Sequence, residues 1–267
     1  MLPRSTVNYA EYRNLKFSQT DAVLTVSLNR PDKLNAIDAE LHSELATVFH
    51  DVAQDHSVNV VILTGEGRAF SAGGDLCWFR DMTPSELDRL FTEARQIIID
   101  FLEVPQPIIS AIQGGAHGLG ATLALLSDIS IAAEGIEISD PHVRIGVGAG
   151  DGGAVIWPWL IGPGRAKEFL MTGDSVNAAD AARMGLVNHV VPDSELLATA
   201  TRLAVRLATG PQMAIRATKA SVNKVLRDTV NLVLDTSLSL EKECFRSQDH
   251  REAVNAFLEK RSPRFGQ

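Results

Sequence analysis

The chain has 267 residues, 45% of them apolar and 22% charged, with 20 glycines and 11 prolines. This suits a soluble globular protein of one large or two modest domains, and it excludes collagen, coiled coil and a disordered chain. With 25 Lys and Arg against 33 Asp and Glu the net charge is −8, so no positive field exists to collect a nucleic-acid backbone or an anionic membrane.

Only Cys77 and Cys244 are present, too few for a disulfide framework and in no zinc-binding spacing, which points to a reducing compartment and no metal. Residues 1–20 carry Arg4, Glu11, Arg13 and Lys16 without an apolar stretch, so no signal peptide is expected. No run approaches the roughly 18 uninterrupted apolar residues of a membrane span, because Gln113, His117 and Asp128 break the most apolar region. A cytoplasmic protein is the expectation.

Over 15–28, two short strands turn about Thr20 and Asp21, the second alternating Val23, Thr25 and Ser27 with Leu24, Val26 and Leu28. Asp38 can cap a helix in which Leu41, Leu45, Val48, Phe49 and Val52 recur at helical spacing. The β-branched run over 58–64 is that of a strand buried on both faces. Ser85 and Asp88 have the form of a capping box ahead of Leu87, Leu90, Phe91, Ala94, Ile97, Ile98 and Phe101. Pro105 and Pro107 end that helix, after which 108–112 reads as a strand, 118–126 as a helix and 129–133 as a strand. Alternating strands and helices predict an α/β fold with a largely parallel sheet. Beyond Asp193 only helical patterns follow, over 195–209, 211–226, 229–244 and 251–260. The chain therefore divides into an α/β part, 1–192, and a helical part, 193–267.

Three segments could carry chemistry. Residues 68–76, with Gly73 and Gly74 at the exit of a strand, can present backbone N–H groups to a ligand, although an ordinary turn has the same composition. Residues 113–121 place Gly114, Gly115, Gly118 and Gly120 before an apolar helix, whose free N–H groups suit an oxyanion. His117 in that segment is as readily a structural histidine. The third runs from Asp140 and His142 through Gly146, Gly148 and Gly150 to Asp151, Gly152 and Gly153. A histidine beside an acid in a bare glycine loop fits acid/base work; the simpler alternative is that Asp151 caps a helix. Gly148, Gly150 and Gly153 also spell a dinucleotide fingerprint, but Pro158 interrupts the helix such a loop must open.

In chain order these segments resemble the crotonase superfamily, also called the enoyl-CoA hydratase/isomerase family. The matching stretches are Asn29-Arg30-Pro31-Asp32-Lys33-Leu34-Asn35-Ala36, then 70–76, then 114–120 with Leu123 and Asp128. Gly173, Ala178, Ala182, Gly185, Leu186 and Val187 follow, and Phe257, Lys260, Arg261, Pro263 and Phe265 close the set. The resemblance implies a ClpP-like spiral of strand-strand-helix turns followed by C-terminal helices that build a trimer, often paired into a hexamer. It implies an acyl-CoA thioester substrate, with coenzyme A as part of the substrate and no separate cofactor. The N–H groups of Gly74 and Leu119 would stabilise an enolate oxygen. Lys33, Leu34, Ala36, Ala72, Asp75, Leu76, Thr122, Phe257 and Lys260 would meet the substrate, joined by Arg261 at the CoA.

Hydratases of the family place glutamates where this chain has Thr122 and His142. Ordinary hydration is therefore not the expected chemistry, since Thr122 is no acid or base near neutral pH. His142 with Asp151 is instead similar to the crotonase-fold hydrolases of cyclic β-diketones. Three readings follow: an acyl-CoA enzyme using His142 and Asp151 as acid/base pair, a carbon–carbon bond hydrolase of a cyclic diketone, and a non-catalytic binding protein.

Overall fold

The structure, a computed structural model, describes residues 7–266. Arg4, part of the N-terminal charge pattern, lies outside the described residues. β1 (Leu15–Thr20) and β2 (Val23–Leu28) form the antiparallel hairpin expected over 15–28. Asp38 caps α1 (Ala39–Gln54) by accepting from the Leu41 N–H at 3.0 Å, and the five apolar residues read at helical spacing are buried. β3 (Val60–Gly65) is buried at every position. A short α2 (Leu76–Asp81) leads to α3 (Pro84–Glu103).

The start of α3 differs from the sequence reading. Thr83 and Glu86 form the capping box, not Ser85 and Asp88, because Pro84 is suited to the first helical position and sets the cap one residue before it. β4 (Ile108–Ile112), β5 (Ala116–His117), α4 (Leu119–Leu126), β6 (Ile129–Ala133) and β7 (Glu137–Ser139) follow. Next come α5 (Gly153–Ile161), α6 (Pro163–Thr172), β8 (Val176–Asn177), α7 (Ala178–Met184) and β9 (His189–Val191). Pro158 does not interrupt α5 but sits inside it.

The main sheet runs β1-β2-β3-β4-β6-β9, parallel throughout except for the hairpin. A second sheet, β5-β7-β8, consists of strands of two or three residues, too short to show a hydrophobic period. α8 (Leu196–Ala208) packs on β3, β4 and β6, burying Leu196, Ala200 and Ala204. α9 (Gln212–Phe245) is one helix of 34 residues, where the sequence suggested two. The junction at Arg227 and Asp228 holds neither Gly nor Pro, so nothing there costs enough to stop the helix. α10 (Gln248–Leu258) is capped by Ser247.

The early marker segment serves this architecture. Asn35 is fully buried; its Nδ2 donates to the carbonyls of Glu66 and Ala69 at 2.9 and 2.8 Å, and its Oδ1 accepts from the Arg30 N–H at 2.8 Å. Each buried partner left unpaired by its loss would cost about 1–3 kcal/mol. Ser71, also fully buried, donates to the Asn35 carbonyl at 2.8 Å. The marker segment thereby holds the exit of β3 in place, and with it Gly73 and Gly74.

Candidate active site

Two glycine segments are joined by backbone. The Phe70 and Ser71 N–H groups donate to Gly115 O at 3.1 Å, and the His117 N–H donates to Ser71 O at 3.0 Å. A Cβ on Gly120 would lie 2.4 Å from Ser71 Cβ, so only glycine lets the first turn of α4 close on the first segment. Gly118, before α4, has φ 53° and ψ −129°, a conformation open to glycine and little else. It turns the chain so that Leu119 is the first residue of the helix, where its N–H has no intrahelical acceptor. On the facing segment the Gly73 carbonyl accepts from the Ile37 N–H and the Asp75 N–H donates to Ile37 O. Gly74 between them makes no hydrogen bond of its own to the described backbone outside the regular elements.

His142 stands against this pair. A Cβ on Gly118 would be 3.5 Å from His142 Cε1. His142 Nδ1 bonds the Asp140 carboxylate, two residues earlier, which fixes the ring and leaves Nε2 for chemistry. Nε2 lies 3.4 Å from Asp151 Oδ2 and 3.7 Å from Glu241 Oε1. Asp151 does not cap α5: Gly152 is the cap residue and no side chain bonds the helix start. One oxygen each of Asp140, Asp151 and Glu241 is buried with no hydrogen-bond partner among the described residues. Asp140, His142 and Asp151 bring donor atoms within 4.8 Å of one another, close enough for a cation. Asp140 Oδ1 is taken by Nδ1, an arrangement that suits an imidazole oriented for proton transfer.

Glu241 escaped the sequence reading, although a signal existed. Leu226, Val230, Leu234 and Leu238 form the buried row of α9, and Glu241 is the next residue of that row, only 3% exposed. A carboxylate on an apolar helix face needs a partner, and here it finds His142.

Burial pushes the His142 pKa down, but the charges of Asp140 and Asp151 outweigh it and hold the imidazole well above its ordinary value. Burial pushes Glu241 well up; the His142 charge opposes this and the nearby aspartates reinforce it. Both folded-state values exceed the unfolded ones, about 6.5 for His and 4.3 for Glu. The stability from His142 is thus complete below about pH 6.5 and fades as pH rises through its folded value. That from Glu241 is complete below about pH 4.3 and fades likewise on the alkaline side. Melting temperature is expected to fall from pH 6 to 9, and Glu241→Gln to flatten that decline; thermal unfolding across a pH series measures both.

Two cavities meet at these residues. A cleft of about 710 Å³ is lined by Lys33, Ala36, Ala72, Gly74, Asp75, Leu76, His142, Phe257 and Arg261 among others. A chamber of about 30 Å³ is lined by Gly74, Leu119, His142, Asp151 and Glu241, with Trp78, Phe79 and Phe245. Of the residues expected to meet substrate, Leu34, Thr122 and Lys260 line neither. Thr122 is fully buried, its methyl group beside Gly152. Leu34 accepts from the Ala72 N–H at 2.9 Å, and Lys260 is exposed beyond α10. His117 bonds Ser139 Oγ at 2.7 Å and takes no part in either cavity.

Residues 18–267 match the family described as enoyl-CoA hydratase/isomerase. A crotonyl-CoA hydratase of Syntrophomonas wolfei is 34% identical over 260 residues, covering 95% of this chain and 98% of that protein. A crystal structure of an enoyl-CoA hydratase/isomerase from Mycobacterium paratuberculosis superposes with a TM-score of 0.88 at 35% identity, covering 91% of this chain and 97% of the other. A β-diketone hydrolase from the cyanobacterium Anabaena, bound to (S)-3-oxocyclohexyl acetic acid, superposes with a TM-score of 0.82 at 30% identity, covering 89% and 96%. Paired glycine segments behind a parallel sheet, and likeness to these relatives over nearly the full length, make this chain a member of the enoyl-CoA hydratase/isomerase family, the crotonase superfamily of enzymes.

Proposed function

We propose that the protein acts on an acyl-CoA thioester, holding its oxygen as an enolate between the Gly74 and Leu119 N–H groups while His142, with Asp151, moves the proton. The observation that carries this reading is a single cleft lined both by Lys33, Arg144 and Arg261, cations suited to the phosphates of CoA, and by Gly74, Gly118 and His142. Backbone donors aimed at a developing oxyanion are worth most where water is scarce, and the chamber beside them is lined by the buried Ile37, Leu119, Asp151 and Glu241. The carboxylates around His142 favour the imidazolium, which can deliver a proton to the enolate. Asp151, with one oxygen unpartnered, can orient water.

A second reading, hydrolysis of a carbon–carbon bond in a cyclic β-diketone, is favoured by one observation: three carboxylates surround one buried imidazole, and neither hydratase glutamate is present. Calorimetric titration with acetoacetyl-CoA and with cyclohexane-1,3-dione separates the two. Thioester binding that free CoA competes away supports the first; turnover of the dione by a protein that ignores the thioester replaces it with the second. Crotonyl-CoA hydration, followed by loss of enoyl absorbance, is expected to be slow, because Thr122 cannot activate water.

Assembly into a trimer or hexamer belongs to the same proposal. α9 leaves Val222, Val225, Leu232 and Leu240 exposed, Leu232 at 80%, whereas Leu238 on the same helix is buried within the chain. Sedimentation tests this: a monomer at micromolar concentration removes it.

A further inference from the structure

Phe79 is the one residue among those lining the described cavities that borders the large cleft, the 30 Å³ chamber and a third cavity of about 380 Å³. That third cavity lies beyond Phe79 and Phe245, where Met82, Leu87 and Val254 share its wall with His250, Arg80, Arg246 and Arg251. The Phe79 and Phe245 rings meet edge to face, with centroids 5.2 Å apart, and the His250 ring lies tilted against Phe245 at 4.5 Å. The aromatic cluster thus forms the partition between the chamber at the oxyanion donors and the outer cavity. Phe79 also presses on the donor itself, since a Cβ on Gly74 would lie 2.2 Å from its Cζ. The helix that carries it, α2, has six residues, none of them fully buried.

We infer that Phe79 determines acyl length, restricting the chamber to short acyl groups, and that its removal joins the chamber to the outer cavity so that longer chains fit. This rests on the thioester reading above. A chain confined by the partition has no room for added methylenes, whereas each methylene newly buried against Met82, Leu87 and Val254 strengthens binding about fourfold.

The test measures dissociation constants of butanoyl-, hexanoyl-, octanoyl- and decanoyl-CoA for the wild type, Phe79→Ala and Phe79→Leu, with free CoA as reference. The wild type is expected to bind butanoyl-CoA best and octanoyl-CoA at least tenfold more weakly. Phe79→Ala should reverse that order by at least tenfold with free CoA unchanged, and Phe79→Leu should fall between. An unchanged chain-length profile in Phe79→Ala, with folding verified by its circular dichroism, overturns the inference. If no protein binds any thioester, the thioester reading fails instead. The same three proteins then meet cyclohexane-1,3-diones bearing alkyl tails of increasing length. A shift toward longer tails in Phe79→Ala upholds the partition, and an unchanged profile overturns it.

Discussion

Replacing His142 by Ala, or Asp151 by Asn, is expected to lower turnover by about 10²-fold or more while leaving ligand affinity nearly unchanged. The imidazole side chain is 11% exposed, fixed at Nδ1 by Asp140, and directs Nε2 at Asp151 and Glu241. It can therefore transfer a proton without first reorganising. His142→Ala also strands three buried carboxylates, which lowers stability, so Asp151→Asn is the cleaner probe. It keeps the shape, removes the charge 3.4 Å from Nε2 and leaves the Asp140 bond intact. Steady-state kinetics beside calorimetric affinity separates lost chemistry from lost binding. Brisk turnover surviving in both variants would falsify the assignment and require another proton carrier.

Leu119→Pro is expected to cost about 10²–10³ in kcat, the effect of deleting one oxyanion donor. Leu119 is the first residue of α4, where proline is tolerated because that N–H has no helical partner. The substitution thus removes the donor without breaking a helix bond. The matching change at Gly74 is less informative, since any Cβ there runs into the Phe79 ring. The variant should retain CoA affinity, because Lys33 and Arg261 lie on other segments. Equal kcat in Leu119→Pro and wild type would show that the oxygen is held elsewhere.

The sequence alone determined the alternation of strand and helix, the Asp38 cap, the burial of β3 and the presence of two glycine-rich strand exits. Each of these is local: a period, a cap or a glycine requirement is written within a few neighbouring residues. The closeness of His142 and Asp151 was legible for the same reason, since they stand nine residues apart in one loop otherwise bare of titratable groups except Asp140 and Arg144. The substrate positions were less so. Thr122 was expected to meet substrate, but three residues into α4 its side chain is turned to the Gly152 corner.

Only the tertiary structure decided which partners surround His142. Asp140 was visible as a neighbour, yet its bond to Nδ1 depends on how the chain turns after β7. Glu241 arrives on a helix ninety positions further on from Asp151, as the numbering gives. It reaches the site because α9 docks its apolar row against α3 and α5. The dock, not the glutamate, carries the information: burial of Val230, Leu234 and Leu238 sets the rotation of α9, and that rotation aims Glu241 at the imidazole. The same holds for Phe79 and Phe245, each an ordinary aromatic in its own segment. Packing of non-local apolar faces makes them a partition, and no local pattern encodes that contact.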